Sequence, residues 1–120
     1  MKRSNTQVLS HLQKTSVDDV CMSVITKAEL LFGVEISARR RHDEAALRAF
    51  LIYVQVLDFT DAACSYNAKI RADLKIRGTL IGANDLFIAA HALSLGLTLV
   101  TNNMREFGRV AGLALENWTV

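Results

Sequence analysis

Leu97-Thr98-Leu99-Val100-Thr101 is the stretch on which the reading of the fold turns. It is a short run of aliphatic and β-branched residues between Gly96 and the polar pair Asn102-Asn103, the pattern of a strand buried in a sheet. The residues before it, from about Asn84 through Leu95, are apolar at helical length, and Gly96 stops them. A helix therefore feeds a strand almost without a connection. Further out, Val56-Leu57-Asp58-Phe59 reads as another short strand, followed by a Thr60-Asp61 cap and a long helix through Tyr66, Ile70 and Leu74 to Gly78. Ahead of it lies a helix carrying Ala46, Leu47, Phe50, Leu51 and Val54 at three- and four-residue steps, with the basic stretch Ser37 to Asp43 as a loop or helix end.

Val20-Cys21-Met22-Ser23-Val24 is a third apolar run, expected to be a strand buried on both faces. Thr26-Lys27-Ala28-Glu29 has the spacing of a capping box, Ala28, Leu31 and Phe32 start an apolar face, and Gly33 is expected to be a close-packing point. Val8, Leu9 and Leu12 place a helix at the opening of the sequence. Its end reads as a short helix around Arg105-Glu106-Phe107 and an extended segment from Leu115 to Trp118. Strands alternating with helices predict an α/β domain, a central parallel sheet with helices on both faces. The 120 residues suit one such domain.

With 51% hydrophobic and 22% charged residues and a formal net charge of +2, composition selects a globular class and leaves nucleic-acid binding open. The two cysteines, Cys21 and Cys64, have no paired Cys or His spacing for zinc and are expected to be buried thiols in a reducing compartment. Met1-Lys2-Arg3 precedes polar residues rather than a signal sequence, and Leu86 to Val100 is too short and too interrupted to span a bilayer. A cytoplasmic location with no membrane association is expected.

In parallel α/β sheets, functional groups collect past the carboxyl ends of the strands. That rule selects Thr26, Glu29, Thr101, Asn102, Asn103 and Glu106, and Asp85 joins them because it opens a helix whose next residues, Leu86, Phe87 and Ile88, are apolar. Each acid also has a plainer reading. Glu29 would close its capping box, Asp85 would meet a helix dipole, and Glu106 would be solvated. Together, three carboxylates at one end of a sheet would repel by roughly 4 kcal/mol per pair at ~4 Å in an effective dielectric near 20. A hard divalent cation, Mg²⁺ or Mn²⁺, would relieve that repulsion and could activate water against a phosphodiester.

Ser23-Val24-Ile25-Thr26-Lys27-Ala28-Glu29-Leu30 with Gly33, Gly82-Ala83-Asn84-Asp85 with Ala89-Ala90-His91-Ala92, and Leu99 to Asn103 with Arg105-Glu106-Phe107 and the closing Glu116-Asn117-Trp118 resemble the PIN-domain toxin ribonucleases of the VapC family. The resemblance runs over nearly the whole chain. It implies a PIN-like three-layer α/β/α fold and a Mg²⁺-dependent endoribonuclease, the toxin of a type II toxin–antitoxin pair. The implied partners are a VapB-type antitoxin, an RNA substrate such as tRNA, and a second copy in a homodimer or higher assembly. Carried over by position, Glu29, Asp85 and Glu106 are metal-binding acids, with Thr101 and Asn103 as polar groups beside them. The family also begins with an apolar strand ending in Asp-Thr-Asn, whose aspartate is a metal ligand. No counterpart of it precedes Met1, so the sequence is expected to lack the first strand.

Two other readings compete. One is an impaired PIN module that binds antitoxin without cutting RNA, and metal-dependent cleavage would separate it from the enzyme. The other is a nucleotide-binding or receiver-like domain, disfavoured because no phosphate loop and no phospho-acceptor aspartate is present. His91 is expected to be a core or interface histidine, while His11 and His42 have no candidate partner. Arg39-Arg40-Arg41 reads as a solvated turn that would also suit RNA phosphates, and Arg71 and Lys75 share a helix face from which they could reach substrate.

Overall fold

The structure, a computed structural model, describes residues 20–118. The helix expected around Val8, Leu9 and Leu12, and His11 with it, lies outside that range. Strand β1 (Cys21–Ser23) runs directly into helix α1 (Val24–Glu35), and α2 (Arg40–Tyr53) leads into β2 (Gln55–Leu57). Helices α3 (Asp61–Ile76) and α4 (Ala83–Leu95) follow, then β3 (Leu99–Val100), the short α5 (Met104–Phe107) and β4 (Leu115–Glu116).

Local chemistry sets these bounds. Helix α1 starts two residues ahead of the expected capping box, because the Ser23 hydroxyl, on extended backbone, accepts the Ile25 N–H at 3.1 Å and fills the N-cap. Thr26 to Glu29 are therefore already inside the helix. In α3 the Thr60 cap is as expected, its hydroxyl accepting the Ala63 N–H at 3.3 Å. Gly96 closes α4 at a φ of 65°, and the Leu97 N–H turns back to the Ala92 carbonyl at 3.0 Å. That closure holds Leu97 and Thr98 out of the ladder, so β3 is shorter than the five-residue run suggested. Helix α2 begins at Arg40, inside the stretch read as a loop, with the Ser37 hydroxyl donating to Asp43 in its first turn.

Strand pairing is parallel, as expected: β1 with β2, Cys21 opposite Gln55, and β3 with β4, Leu99 opposite Leu115. Among the described residues these form two two-stranded sheets, β1-β2 and β3-β4. Asp58 and Phe59 lie beyond β2, and Phe59 packs edge-on against both Phe87 and His91 with ring centroids 5.3 Å apart in each case.

The core belongs mainly to α3, α4 and the C-terminal segment, where Ile70, Leu74, Ile81, Leu86, Ile88, Ala89, Ala90, Phe107 and Val110 form one cluster. Helix α3 lies along α4, and α4 carries β1 and α1 on its flank. Several expectations of burial fail on the other side. In β1, Cys21 is exposed and Met22 and Ser23 are half-buried, since among the described residues only β2 pairs with this strand. Cys64 is also exposed, on the outer side of α3, while Ala63, Ile70 and Leu74 face inward. A Cβ on Gly33 would meet nothing within 4 Å, and Leu31 and Phe32 are exposed. Among the described residues, no helix is long and apolar enough to cross a membrane.

Candidate active site

The best-fixed acid is Glu106. Asn103 caps α5 by accepting the Glu106 N–H on Oδ1 at 3.3 Å, and its Nδ2 donates to Glu106 Oε2 at 3.0 Å. The Asn103 N–H in turn donates to Thr101 Oγ1 at 3.0 Å. Thr101 and Asn103, two polar residues after β3, thus hold the Glu106 carboxylate in place.

Asp85 meets it from the first turn of α4. Its carboxyl is half-buried and pushed up from an ordinary 3.8 to about 6, first by burial, then by a hydrogen bond with Glu106, then by the charges of Glu106 and Glu29. A helix N-terminus alone would favour the charged form. Burial and the neighbouring carboxylates act on Asp85 in the opposite direction. Glu29 projects from α1, exposed, and acts on Asp85 through its charge. Its capping-box reading fails, because Ser23 caps α1.

Asp85 and Glu106 come together from two elements, and Glu29 on a third is near enough for its charge to act on Asp85. Among the described residues, no three His, Cys, Asp or Glu side chains are drawn together tightly enough to form a metal-ligand cluster. The close pair is Asp85 and Glu106, and Glu29 stands further off. Carboxylate oxygens of this kind are the donor type that suits a hard divalent cation.

The remaining candidates are dispersed. Asn102 is exposed, and Thr26 is half-buried beside β1. Arg39, Arg40 and Arg41 are exposed, with Arg40 donating to Glu35 at 3.0 Å, and Arg71 and Lys75 are exposed on α3. His42 is exposed. His91 is buried, 3% exposed, as a core histidine should be, yet it is only half satisfied: Nδ1 lies 2.8 Å from Ser23 Oγ and Nε2 has no partner among the described residues.

Sequence reasoning missed three supports. Ser23 is at once the cap of α1 and the partner of His91, and a serine directly before an apolar helix was the available signal. Phe59 braces His91 and Phe87. Arg109 donates to the carbonyls of Thr79 and Leu80 at 3.4 and 3.2 Å, anchoring the loop that leads to Asp85, and no local pattern announces so distant a contact.

Parallel strand pairs with flanking helices make an α/β domain, and the PIN-domain family profile matches residues 3–113. The chain is 42% identical over 118 residues to ribonuclease VapC2 of Haemophilus influenzae, covering 98% of this chain and 89% of that protein. It is 41% identical over 99 residues to the tRNA(fMet)-specific endonuclease VapC of Salmonella typhimurium, covering 82% of this chain and 75% of that one. Among solved structures, VapBC2 of Rickettsia felis bound to a promoter DNA fragment superposes with a TM-score of 0.79 at 41% identity, over 82% of this chain and 74% of that one. The chain belongs to the VapC family of PIN-domain proteins.

Proposed function

We propose that this chain is the toxin of a VapBC-type toxin–antitoxin pair and acts as a Mg²⁺-dependent endoribonuclease on tRNA or another structured RNA. The observation that carries the proposal is the meeting of Asp85 with Glu106, within range of the Glu29 charge, at a raised carboxyl pKa of about 6. Asp85 and Glu106 would hold the cation directly, with Glu29 completing the set, and Mn²⁺ would serve in its place. Such an ion, when bound, supplies charge neutralisation at a phosphodiester and lowers the pKa of water. Thr101 and Asn103 keep the Glu106 carboxylate oriented, so that the site is organised before substrate arrives. Relatives named as ribonucleases, one of them a tRNA(fMet)-specific endonuclease, support the substrate class.

A second reading, an impaired module that binds antitoxin without cleaving, draws support from the lack of a tight three-ligand cluster among the described residues. It also draws on the exposed apolar side chains of α1 and α2, Leu31, Phe32, Ile52 and Tyr53, which suit a protein partner. Incubating the purified chain with fluorescent tRNA in Mg²⁺ separates the two. The enzyme reading expects cleavage that EDTA abolishes and that Asp85→Asn lowers by a factor on the order of 10² or more. Intact RNA together with tight antitoxin binding would instead establish the module.

A further inference from the structure

Helix α4 brings Asp85 to Glu106, yet its own first residues do little to fix where it starts. The N-cap is Gly82, which has no side chain to bond the first-turn amides. Asp85 Oδ2 lies 3.6 Å from where a Cβ on Gly82 would stand, so any displacement of the loop end carries the carboxyl with it. The loop before it, residues 78–82, is closed on α3 at its near end. There Gly78 has a φ of 69° and the Thr79 N–H returns to the Leu74 carbonyl at 2.8 Å.

The far end is held from the C-terminal segment. Arg109 Nη1 donates to the Thr79 and Leu80 carbonyls at 3.4 and 3.2 Å, and Ile81, next in the loop, is buried in one cluster with Phe107 and Val110. Arg109 is tied as directly to the other acid, because its N–H donates to the Glu106 carbonyl at 3.1 Å and closes the turn after α5. Its carbonyl accepts Arg77 Nη2 at 2.8 Å, and Arg77, at the end of α3, is paired with Asp73 at 2.6 Å. One arginine therefore joins the loop that places Asp85 to the turn that carries Glu106, and a second fixes the first to α3. No carboxylate among the described residues pairs with the Arg109 guanidinium, so its charge-assisted hydrogen bonds go to main-chain carbonyls.

We propose that Arg109 is a positioning residue that sets the spacing of the Asp85 and Glu106 carboxyls, and through it the affinity of the site for a divalent cation, without touching the ion or the RNA. Arg77 assists by holding the Arg109 main chain. The cation half rests on the metal-dependent ribonuclease reading, while the spacing of the two acids does not. Mg²⁺ demands short bonds in a near-ideal octahedron, so two carboxylates serve it together only if their separation is fixed in advance. Two acids delivered by separate elements, one of them behind a glycine-capped loop, have that separation fixed only by what ties the elements together.

The test compares the full chain with Arg109→Gln, Arg77→Gln and, as a control for loss of an arginine, Arg48→Gln on the exposed side of α2. Three quantities are read well below the melting temperature: the carboxyl-carbon NMR resonances of the metal-free chain, Mn²⁺ binding by calorimetry, and kcat and KM for RNA cleavage at subsaturating Mg²⁺. For Arg109→Gln the Asp85 and Glu106 resonances should move while those of Asp43 and Glu44 stay. Mn²⁺ binding should weaken by about 10- to 100-fold, and kcat should fall similarly with KM nearly unchanged. Arg77→Gln should act in the same direction with smaller effect, and Arg48→Gln should change none of the three. A lower melting temperature with unmoved resonances and unchanged Mn²⁺ affinity would show that Arg109 only braces the fold, and would overturn the proposal. A raised KM with unchanged Mn²⁺ affinity would make Arg109 an RNA contact and overturn it too. If Arg109→Gln does not fold, Arg77→Gln decides, since its side chain is exposed, and unmoved Asp85 and Glu106 resonances there would count against the proposal. An unsubstituted chain that neither binds Mn²⁺ nor cuts RNA would sink the metal-dependent reading, and the resonances would still decide whether Arg109 spaces the two acids.

Discussion

The two halves of the molecule use similar amounts of apolar sequence to different ends. On the α3–α4 side, Leu74, Ala63, Ala89 and Ala90 are fully buried, and Phe107 and Val110 close the cluster. On the α1–α2 side, Val34 is the one buried residue of the two helices, while Phe32, Ile52 and Tyr53 are 64, 76 and 70% exposed. The first half is held by its own contacts. The second leaves an apolar surface exposed among the described residues. Hydropathy reports which residues avoid water, and the tertiary arrangement decides whether this chain alone can hide them.

One substitution made in both halves tests the contrast most directly. Leu74→Ala, in the packed half, should cost about 2–5 kcal/mol of unfolding free energy by loss of contacts and creation of a cavity. Leu31→Ala, in the open half, should change it by no more than about 0.5 kcal/mol. Urea unfolding of the two variants measures both, and comparable losses would show that α1 is already covered in solution. Phe32→Asp sharpens the point: melting should stay near that of the unsubstituted chain, while binding to the cognate antitoxin should fall by about tenfold or more, as for an interface aromatic. Surface plasmon resonance with the purified antitoxin reads the second effect. A smaller effect is expected at the Thr60 cap, where Thr60→Ala removes the acceptor of the Ala63 N–H and should cost about 1 kcal/mol.

These contrasts also mark what the sequence could and could not reveal. The Thr60 cap, the Gly96 stop and the order of strands and helices were legible because each depends on residues a few positions apart. The family motifs single out Glu29, Asp85 and Glu106, whereas the strand-end rule reaches Glu29 and Glu106 but not Asp85, whose meeting with Glu106 is seen only in the structure. The burial of β1, Cys21, Cys64 and Gly33 was not, because an apolar run reads alike whether or not a neighbour covers it. The length of β3 was lost to the hydrogen bond from Leu97 to Ala92, and the Ser23–His91 contact joins residues too distant in sequence for any local pattern.

The smallest expected effect lies at the seam between the halves, where Glu29 from α1 meets Asp85 and Glu106. Asp85 holds its proton up to about pH 6 in the folded chain, against an ordinary 3.8, because of burial, its bond to Glu106 and the nearby negative charges. Between those values the folded state binds more protons than the unfolded state, so the Asp85 contribution to stability is fully present below about pH 4 and declines as pH rises to about 6. The decline is small, since the carboxyl keeps contact with water, which screens the repulsion. Asp85→Asn carries no charge to repel. Thermal melts in EDTA should therefore show the variant and the unsubstituted chain closest at pH 4, with the variant gaining relative stability up to pH 6 and the gap then constant. Other carboxylates titrate over the same range in both proteins, and taking the difference removes them. Adding Mg²⁺ at pH 7 should narrow the gap from the unsubstituted side, because a cation offsets the repulsion only where the Asp85 charge exists. A gap that does not change with pH would mean that Asp85 titrates as an ordinary surface acid and that the three carboxylates do not share one site.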